Sequence, residues 1–587
     1  MTRTYKRSSP KAFVLRIHIT TIVISLVGIL IISRLSVLQV KEHKKWLAKA
    51  ESQQQDLVVR EIDRGDIFFL SKDGKLQLAA HDKHFPYVWA VPKEIKDPES
   101  ASAILAQLLG NNKDELISKL SKKDDPYELL FKRIPEELAS QIKNLNIKGI
   151  YIGEKKARFY PGKELASHVI GFVSEDSAGR IAGRYGLEAS YDAILQGFSQ
   201  NVSSDVPTFV SFRQKDNNLV AGSNLILSID PNIEFEAERL LSASVEKWHA
   251  KSGTIIVMES HTGKILALAN FPTFNPNEFN KEKNFEVFLN RAVSLIYEPG
   301  SVFKPFTIAA GLESGVITAS STYYDSGEFK VGNTIIRNAG DAAPKKEVTI
   351  TRLLERSYNV GAAYVSSLVG PDFMREFLLR RFGFEERTGI DLPSEVKSDF
   401  RNLMPPEAKP VNFATASFGQ GVAVTPIKLI QAFNAFANGG YLIRPYVVEQ
   451  IEYPDGKITI TEPHRIRQVV SRNTLDALVP MLESVVAGEH GSGKLARIKG
   501  YRIAGKTGTG EIPRKDAKGY SDKVNHTFIG FGPVTNPKVT ILVRLEEPIG
   551  ARYAEATAVP VFRDLMKYIL NYYAIPPDNP EELKETR

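Results

Sequence analysis

The run Gly253-Thr254-Ile255-Ile256-Val257-Met258, the turn Ser260-His261-Thr262-Gly263 and the return Lys264-Ile265-Leu266-Ala267-Leu268-Ala269 read as a β-hairpin: two apolar strands, the first β-branched, around a glycine-bearing turn. Upstream, a strand-like segment at 224–229 leads into Asp230-Pro231, after which 233–248 has helical spacing. Downstream, strands are expected at 501–509, 527–531 and 539–545, while 301–437 reads as mostly helical. Strands at both ends of a domain with helices between predict an antiparallel sheet closed by its terminal strands and flanked by helices. The expected fold class is α/β (α+β), with this domain spanning 224–574.

Outside it the pattern changes. Residues 57–223 mix short β-rich runs (85–91), helical runs (101–120) and many turns, with no cluster of catalytic residue types, and read as a non-catalytic, dimerisation-like pedestal. Residues 17–33 form an apolar run of 17 residues, about 26 Å as a helix. No small-residue cleavage site closes it; Arg34, Leu35 and Val37 follow directly, so 17–37 reads as an uncleaved transmembrane signal anchor. Residues 1–16 are then a cytoplasmic tail, 38–56 a polar stalk and the Pro-rich, charged 575–587 a loose end. The stalk lysines Lys41, Lys44 and Lys45 suit either a solvated face or anionic headgroups.

A chain of 587 residues is too long for one core. Its formal charge of +8 comes from 76 bases against 68 acids, and five of those bases (Arg3, Lys6, Arg7, Lys11, Arg16) precede Ile17 with no acid among them. Beyond them 71 bases face 68 acids, so the excess reports membrane topology, N-terminus inside, and gives no reason to invoke nucleic acid. Cysteine is absent, which excludes thiol nucleophiles, disulfide scaffolds and thiolate metal sites; the ten histidines show no ligand spacing, and no metal or organic cofactor is expected.

Ser301-Val302-Phe303-Lys304 follows Glu298-Pro299-Gly300 and begins an apolar run that ends at Ser314-Gly315. Serine and lysine three apart on a helix share one face, the geometry of a serine nucleophile with an amine base. Such a base needs its pKa lowered from about 10.4 by roughly three units, about 4 kcal/mol. Alone the motif is weak, because Ser8, Ser140, Ser244 and Ser394 also start a Ser-x-x-Lys, and Ser199, Ser357 and Ser471 each start a Ser-x-Asn. Lys506-Thr507-Gly508 occurs once. The order Ser301, Ser357 (56 residues on) and Lys506 (149 further) is that of penicillin-binding proteins and class A β-lactamases. Ser357-Tyr358-Asn359 joins two helical segments, and Gly508 would let a strand approach the serine-bearing helix closely.

With these motifs the chain resembles the class B penicillin-binding proteins, membrane-anchored peptidoglycan D,D-transpeptidases. The resemblance includes Asn290-Arg291-Ala292-Val293, Tyr297-Glu298-Pro299-Gly300-Ser301, Asn359-Val360-Gly361, Thr388-Gly389-Ile390-Asp391-Leu392-Pro393, Ser417-Phe418-Gly419-Gln420-Gly421, Val424-Thr425-Pro426 and Ala504-Gly505-Lys506-Thr507-Gly508-Thr509. In the pedestal it takes in Arg64-Gly65, Arg158, Tyr160-Pro161, His168, Gly171 and Tyr185-Gly186-Leu187-Glu188. The segment 68–74 departs from it, with extra residues where the family has a short turn.

The resemblance implies that Ser301 attacks the bond between the terminal D-alanines of a stem peptide, with Lys304 as base. It places backbone amides of Ser301 and Thr509 in the oxyanion hole and Ser357 as proton relay between Lys304 and Lys506. Asn359 would hold Lys304, while Lys506, Thr507, Gly508 and Thr509 line the carboxylate site. It further implies β-lactams as inhibitors, lipid-linked nascent glycan as substrate, and a polytopic SEDS-family glycosyltransferase and division proteins as partners, at the inner membrane with the catalytic domain in the periplasm. A septal role is the first reading. The alternatives are an elongation-type enzyme, a tethered β-lactamase or penicillin sensor of the same fold, and a catalytically silent division scaffold. Glu298 is weighed as an acid or base and read as part of the approach turn; His526 is weighed at the cleft edge and read as an exposed loop histidine.

Overall fold

The computed structural model describes residues 10–36, 63–110, 112–122, 124–175, 181–199, 219–514, 516–517 and 519–584. The expected stalk lies outside them, as does most of the N-terminal tail. The chain forms two compact units, Met1–Glu61 with Asp82–Ala157, and Ile62–His81 with Arg158–Arg587.

In the smaller unit, Pro10–Ser36 is one helix, with side chains described at 18–31 and 33. Among the described residues no helix is long and apolar enough to cross a membrane. The 82–90 part of a long strand pairs with Glu128–Phe131 and packs on three helices, Pro98–Leu109, Lys113–Leu120 and Glu136–Asn144. The expected helical run at 101–120 is thus two helices. Asp97 caps the first by accepting from the Ser100 N–H, and Gly110 ends it in the left-handed conformation at φ 68°. Val88, Leu105, Leu116, Leu130 and Ile142 make the core.

Elements of the larger unit are numbered here in chain order. Strand β1 (Ile67–Leu70) pairs parallel with β2 (Asn224–Leu227) and antiparallel with residues 76–80. The departing segment 68–74 is therefore a strand and its turn, tied by Ser71 N–H to Lys75 O and by Gly74 N–H to Ser71 O. Residues 62–81 and 158–223 of the expected pedestal belong to this unit. The reason is a buried charge cluster: Glu188 accepts from Arg64 Nε and from Arg158 Nε, both at 2.7 Å, while Arg158 Nη2 donates to Gly65 O. A Cβ on Gly65 would lie 1.9 Å from Ser223 O, so only glycine fits where these segments cross.

Helix α1 (Pro231–Lys247) starts at Asp230, whose carboxylate accepts from the N–H groups of Asn232 and Ile233. Strands β3 (Ser252–Glu259) and β4 (Ile265–Phe271) form the hairpin expected at 253–269, with Gly253 opposite Phe271 and Met258 opposite Ile265. The middle is helical: α2 (Lys304–Glu313), α3 (Ile350–Arg356), α4 (Asn359–Val369) and α5 (Pro426–Asn434). A short hairpin, 328–331 with 334–337, nested inside a strand pair, 322–325 with 346–349, lies between α2 and α3, and the sequence reading missed both. Strands β5 (Val448–Glu452) and β6 (Ile458–Ile460) extend the β1–β2 sheet, and α6 (Arg472–Ala487) precedes the closing strands β7 (Ala504–Pro513), β8 (Tyr520–Gly532) and β9 (Val539–Glu546).

The central sheet runs β4-β3-β9-β8-β7, so a terminal strand does pair with the opening hairpin. Along one register line Gly508, Thr527, Arg544 and Thr254 face one another, two residues from the line Lys506, Ile529, Leu542 and Ile256. One face packs on α1 and the C-terminal helix α7 (Ala558–Tyr572); the other packs on the helical lobe. Strand β7 begins at Ala504 rather than at the expected 501, because 501–503 turn away to meet the chain end. That end is not loose through its described residues: Asp578 accepts from the Arg502 N–H, Asn579 N–H donates to Gly500 O, and Glu582 accepts from the Gly500 N–H.

Candidate active site

Gly300–Phe303 is a single 3-10 turn running directly into α2. Phe303 and Phe306 are fully buried in an aromatic cluster with Phe382 and Phe384, and Thr307 Oγ1 donates to Ser417 O. This packing fixes the turn and leaves Ser301 part-exposed while Lys304 is sealed. The turn is clamped from two sides. A Cβ on Gly419 would lie 2.2 Å from Gly300 O, and one on Gly508 would lie 2.8 Å from Val302 Cγ1 and 2.9 Å from Pro299 O. Strand β7 and the glycine loop at 419–421 thus approach at backbone distance, as expected for Gly508.

The three separated motifs meet at two amines. Lys304 Nζ lies 3.0 Å from Ser301 Oγ, 3.1 Å from Ser357 Oγ and 2.9 Å from Asn359 Oδ1, and also contacts Ser357 O. Ser357 reaches it with both carbonyl and hydroxyl because the residue ends α3 in the left-handed region, at φ 59°. That conformation costs a non-glycine residue about 1 kcal/mol or more and persists where the surroundings hold it. Asn359 Nδ2 donates to Arg337 O, which fixes Oδ1 toward the lysine. Lys506 Nζ donates to Ser357 Oγ at 3.0 Å, Thr507 O at 3.0 Å and Thr507 Oγ1 at 3.3 Å.

Counting protons assigns the charge. Four oxygens surround Lys304 Nζ, one more than an ammonium can serve, but two of them belong to hydroxyls that can donate. A neutral amine fits: it donates to Ser357 O and Asn359 Oδ1 and accepts from the Ser301 hydroxyl. Lys506, with three acceptors, fits a full ammonium. The electrostatics put the two amines in the same order. Burial, and then the charge of Lys506, hold the Lys304 amine well below its ordinary pKa, while burial lowers Lys506 to about 7.

Thr507 Oγ1 also meets Ser492 Oγ at 2.8 Å, and Thr509, part-exposed on β7, accepts at its hydroxyl from the Ala554 N–H at 3.4 Å. Sequence reasoning missed Ser492, and it missed Asn338, whose side chain bonds both oxygens of buried Asp325 and the Val360 N–H, pinning the Ser357–Asn359 loop. Neither carries a motif. Ser8 lies outside the described residues, and the lysines of the other Ser-x-x-Lys matches, Lys143, Lys247 and Lys397, have no part in this cluster.

Two weighed residues come out differently. His526 is a correction: it is fully buried on β8, opposite Thr509, with Nδ1 bonded to Thr557 Oγ1 at 2.9 Å and its pKa pushed down to about 4 by burial. Glu298 does belong to the approach turn. Its carboxylate accepts from Tyr520 OH at 2.9 Å and from the Gly421 N–H, and burial pushes its pKa up to about 7.

Comparison with known proteins gives the same outline. The penicillin binding protein transpeptidase domain family matches residues 253–567, and the penicillin-binding protein dimerisation domain family matches residues 61–212. The chain is 31% identical over 563 residues to stage V sporulation protein D of Bacillus subtilis, covering 94% of this chain and 85% of the relative. It is 30% identical over 502 residues to the peptidoglycan D,D-transpeptidase FtsI of Escherichia coli, covering 84% and 81%. Among solved structures it is similar to the apo form of penicillin-binding protein 3 from Mycobacterium tuberculosis, with a TM-score of 0.64, 30% identity, and coverage of 73% of this chain and 93% of that one.

Proposed function

Since this chain belongs to the class B penicillin-binding proteins of the FtsI and penicillin-binding protein 3 type, and is a peptidoglycan D,D-transpeptidase of cell-wall synthesis, we propose that Ser301 is its nucleophile and Lys304 the base that activates it. The observation that carries this is the four-oxygen environment of Lys304 Nζ, which suits a neutral amine accepting the Ser301 proton.

Ser301 Oγ adds to the carbonyl carbon between the two terminal D-alanines as its proton passes to Lys304. The N–H of Ser301, in the first turn of its 3-10 helix with no carbonyl before it in the turn, and that of Thr509 on the facing strand stabilise the oxyanion. When the intermediate collapses the C–N bond breaks, and the leaving D-alanine amine takes a proton through Ser357 Oγ, which touches both lysines. An amine of a second stem peptide then attacks the acyl ester, the C–Oγ bond breaks and Ser301 recovers its proton. Lys506, Thr507, Gly508 and Thr509 hold the donor carboxylate, and Asn359 keeps Lys304 aimed at Ser301.

The test is covalent labelling by a fluorescent penicillin. Wild type should give a long-lived acyl-enzyme, Ser301→Ala none and Lys304→Ala almost none. Release of the label within seconds would favour a tethered β-lactamase, and wild type that never labels would favour a silent scaffold.

The septal role, the SEDS-type partner and the anchor belong to the same proposal. A single span is supported by the helix Pro10–Ser36, where Ile19, Ile22, Val23, Ile24, Val27 and Ile31 all stand exposed: an apolar surface over more than half of the helix's circumference suits lipid. An N-terminal tag should resist protease added outside the membrane while a C-terminal tag is cut, and a fluorescent copy should gather at division sites.

A further inference from the structure

A glycine-rich loop that the chemistry above leaves unused, Gly488-Glu489-His490-Gly491-Ser492-Gly493, ties α3 to strand β7. It follows α6 and folds back on that helix at backbone distance: Gly493 N–H donates to Val485 O at 2.9 Å, and a Cβ on Gly491 would lie 2.1 Å from the same oxygen. Toward α3 it is fastened at the two residues that precede Ser357. Ser492 N–H donates to Glu355 O at 3.0 Å, and Arg356 Nη2 meets His490 Nδ1 at 2.9 Å. Ser484 Oγ of α6 adds a hydrogen bond to Glu355 Oε1 at 2.5 Å.

Ser492 is the residue of this loop that reaches the site. It is part-exposed, its hydroxyl lies 2.8 Å from Thr507 Oγ1, and Lys506 Nζ donates to that same threonine oxygen at 3.3 Å. Lys506 also donates to Ser357 Oγ, which Lys304 Nζ meets at 3.1 Å while lying 3.0 Å from Ser301 Oγ. One run of polar contacts therefore links the nucleophile to Ser492. Proton counting gives its far end a direction. A threonine hydroxyl has one proton and two lone pairs, and Lys506 takes one of the lone pairs. If Thr507 donated to Ser492, it would face a carboxylate with oxygen alone. If Ser492 donates instead, both lone pairs are filled from inside and the Thr507 proton is left for the ligand, in a hydrogen bond to a charged acceptor that the inner donors strengthen.

We propose that Ser492 is a positioning residue of the donor site: its hydroxyl donates to Thr507 Oγ1 and so turns the Thr507 proton outward, toward the carboxylate of the terminal D-alanine. The inference rests on the reading of Ser301 as nucleophile and of Lys506 and Thr507 as the carboxylate site. Ser492 acts through Thr507 without touching the ligand. Its N–H bond to Glu355 O holds it from the α3 side, so the segment that carries Ser357 also sets the threonine that faces the carboxylate.

The test uses the full chain in detergent at pH 6, where Lys506, with its pKa of about 7, is charged. Two D-alanyl thioesters give the same acyl-enzyme. One has a thioglycolate leaving group, whose carboxylate stands in for that of the terminal D-alanine; the other is its methyl ester, which is neutral. The kcat/KM for thiol release reports acylation by each, and the readout is the charged-to-neutral ratio, in which losses of folded protein or of Ser301 reactivity cancel. Wild type should prefer the charged donor. Ser492→Ala should lower the ratio about fivefold, and Thr507→Val at least about tenfold, the range of a hydrogen bond to a charged group. Adding Ser492→Ala to Thr507→Val should lower it no further, because the two act as one unit. If the alanine variant fails to fold, Ser492→Gly, which also lacks the hydroxyl, carries the test with the same expectation. A ratio that stays at the wild-type value in the folded Ser492 variant overturns the proposal, as does a double variant well below Thr507→Val, since Ser492 would then meet the carboxylate itself. A wild-type protein that acylates equally with both donors overturns the carboxylate site and leaves Ser301 standing. No acyl-enzyme from either donor overturns Ser301 as nucleophile, and this inference with it.

Discussion

Acylation should fall as pH rises through 7, and the fall should belong to Lys506. The two amines lie 3.1 and 3.0 Å from the same Ser357 hydroxyl, so they are at most about 6 Å apart. Two positive charges at about 6 Å repel by about 2.8 kcal/mol at an effective dielectric near 20, about two pKa units. One proton must therefore go first, and it leaves Lys304, the more crowded amine. Lys506 keeps its charge until burial alone sets its pKa, at about 7. An amine with that pKa is about 90% protonated at pH 6 and about 9% at pH 8, so a step that needs the cation to hold a carboxylate slows about tenfold across that interval. The measurement is the second-order rate of labelling by a fluorescent penicillin, well below saturation and at constant ionic strength from pH 5.5 to 9, which reports the free enzyme. Because Glu298 also titrates near 7, Glu298→Gln must keep the alkaline limb and Lys506→Met must lose it, with a lower rate at pH 6. A wild-type rate that stays level or rises from pH 6 to 8 would refute the reasoning, as would a limb that survives in Lys506→Met.

Glu188→Gln should destabilise the larger unit by about 3 kcal/mol, since it removes the carboxylate that Arg158 pairs with and one of the two that hold Arg64, which keeps Asp192 at 2.8 Å, and calorimetry should show its midpoint falling by several degrees. An unchanged midpoint would mean that Arg64 and Arg158 find other acceptors. Gly508→Ala should cut acylation about 100-fold with an unaltered far-UV circular dichroism spectrum, because its Cβ, 2.8 Å from Val302 Cγ1, pushes β7 off the nucleophile turn. Glu234 and Glu238 on α1 accept from the N–H groups of Leu268 and Ala166, and burial raises both pKa values, Glu234 to about 7. The folded state then keeps protons that the unfolded chain gives up above about pH 4.5, so this pair should erode stability as pH climbs from 4.5 past 7. The thermal midpoint of wild type should fall from pH 6 to pH 8 by more than that of Glu238→Gln; equal falls would remove the pair as the cause.

Local signals made the opening hairpin, the helix after Asp230-Pro231 and the Ser357-Tyr358-Asn359 junction legible in the sequence, because each is decided by residues within a few positions of one another. The failures are of another kind. His526 sits in Ser521-Asp522-Lys523-Val524-Asn525-His526-Thr527, a polar run that reads as a loop, yet it is a strand paired on both sides. Its imidazole faces Thr557, 31 residues away, and no pattern along the chain announces that partner. The chain end reads as loose from its prolines and acids, and those same acids, Asp578 and Glu582, turn out to be acceptors for the N–H groups of Arg502 and Gly500. Arg64, Arg158 and Glu188 stand out one by one by resemblance, but that they are one ion cluster follows only from where β1 and the 158–190 segment cross.

The same limit separates the motif from the chemistry. Ser-x-x-Lys gives the distance between a hydroxyl and an amine, and five such pairs occur in this chain, so spacing cannot make the amine a base. What singles out Lys304 is a set of distant placements. Lys304 is fully buried in the same turn and helix as buried Phe303 and Phe306, and the left-handed Ser357 aims two oxygens at it, while Arg337 holds Asn359 and Asn338 holds the next residue, Val360. Strand β7 then brings a second amine to the same hydroxyl from about 200 residues further along the chain. Burial removes water that an ammonium would need, and the second amine adds a charge that an ammonium must oppose. A neutral Lys304 is therefore a property of the assembled cleft, and substitutions that open it, at Gly508 or at Asn338, should raise the Lys304 pKa and shift the acid limb of acylation to higher pH without touching either lysine.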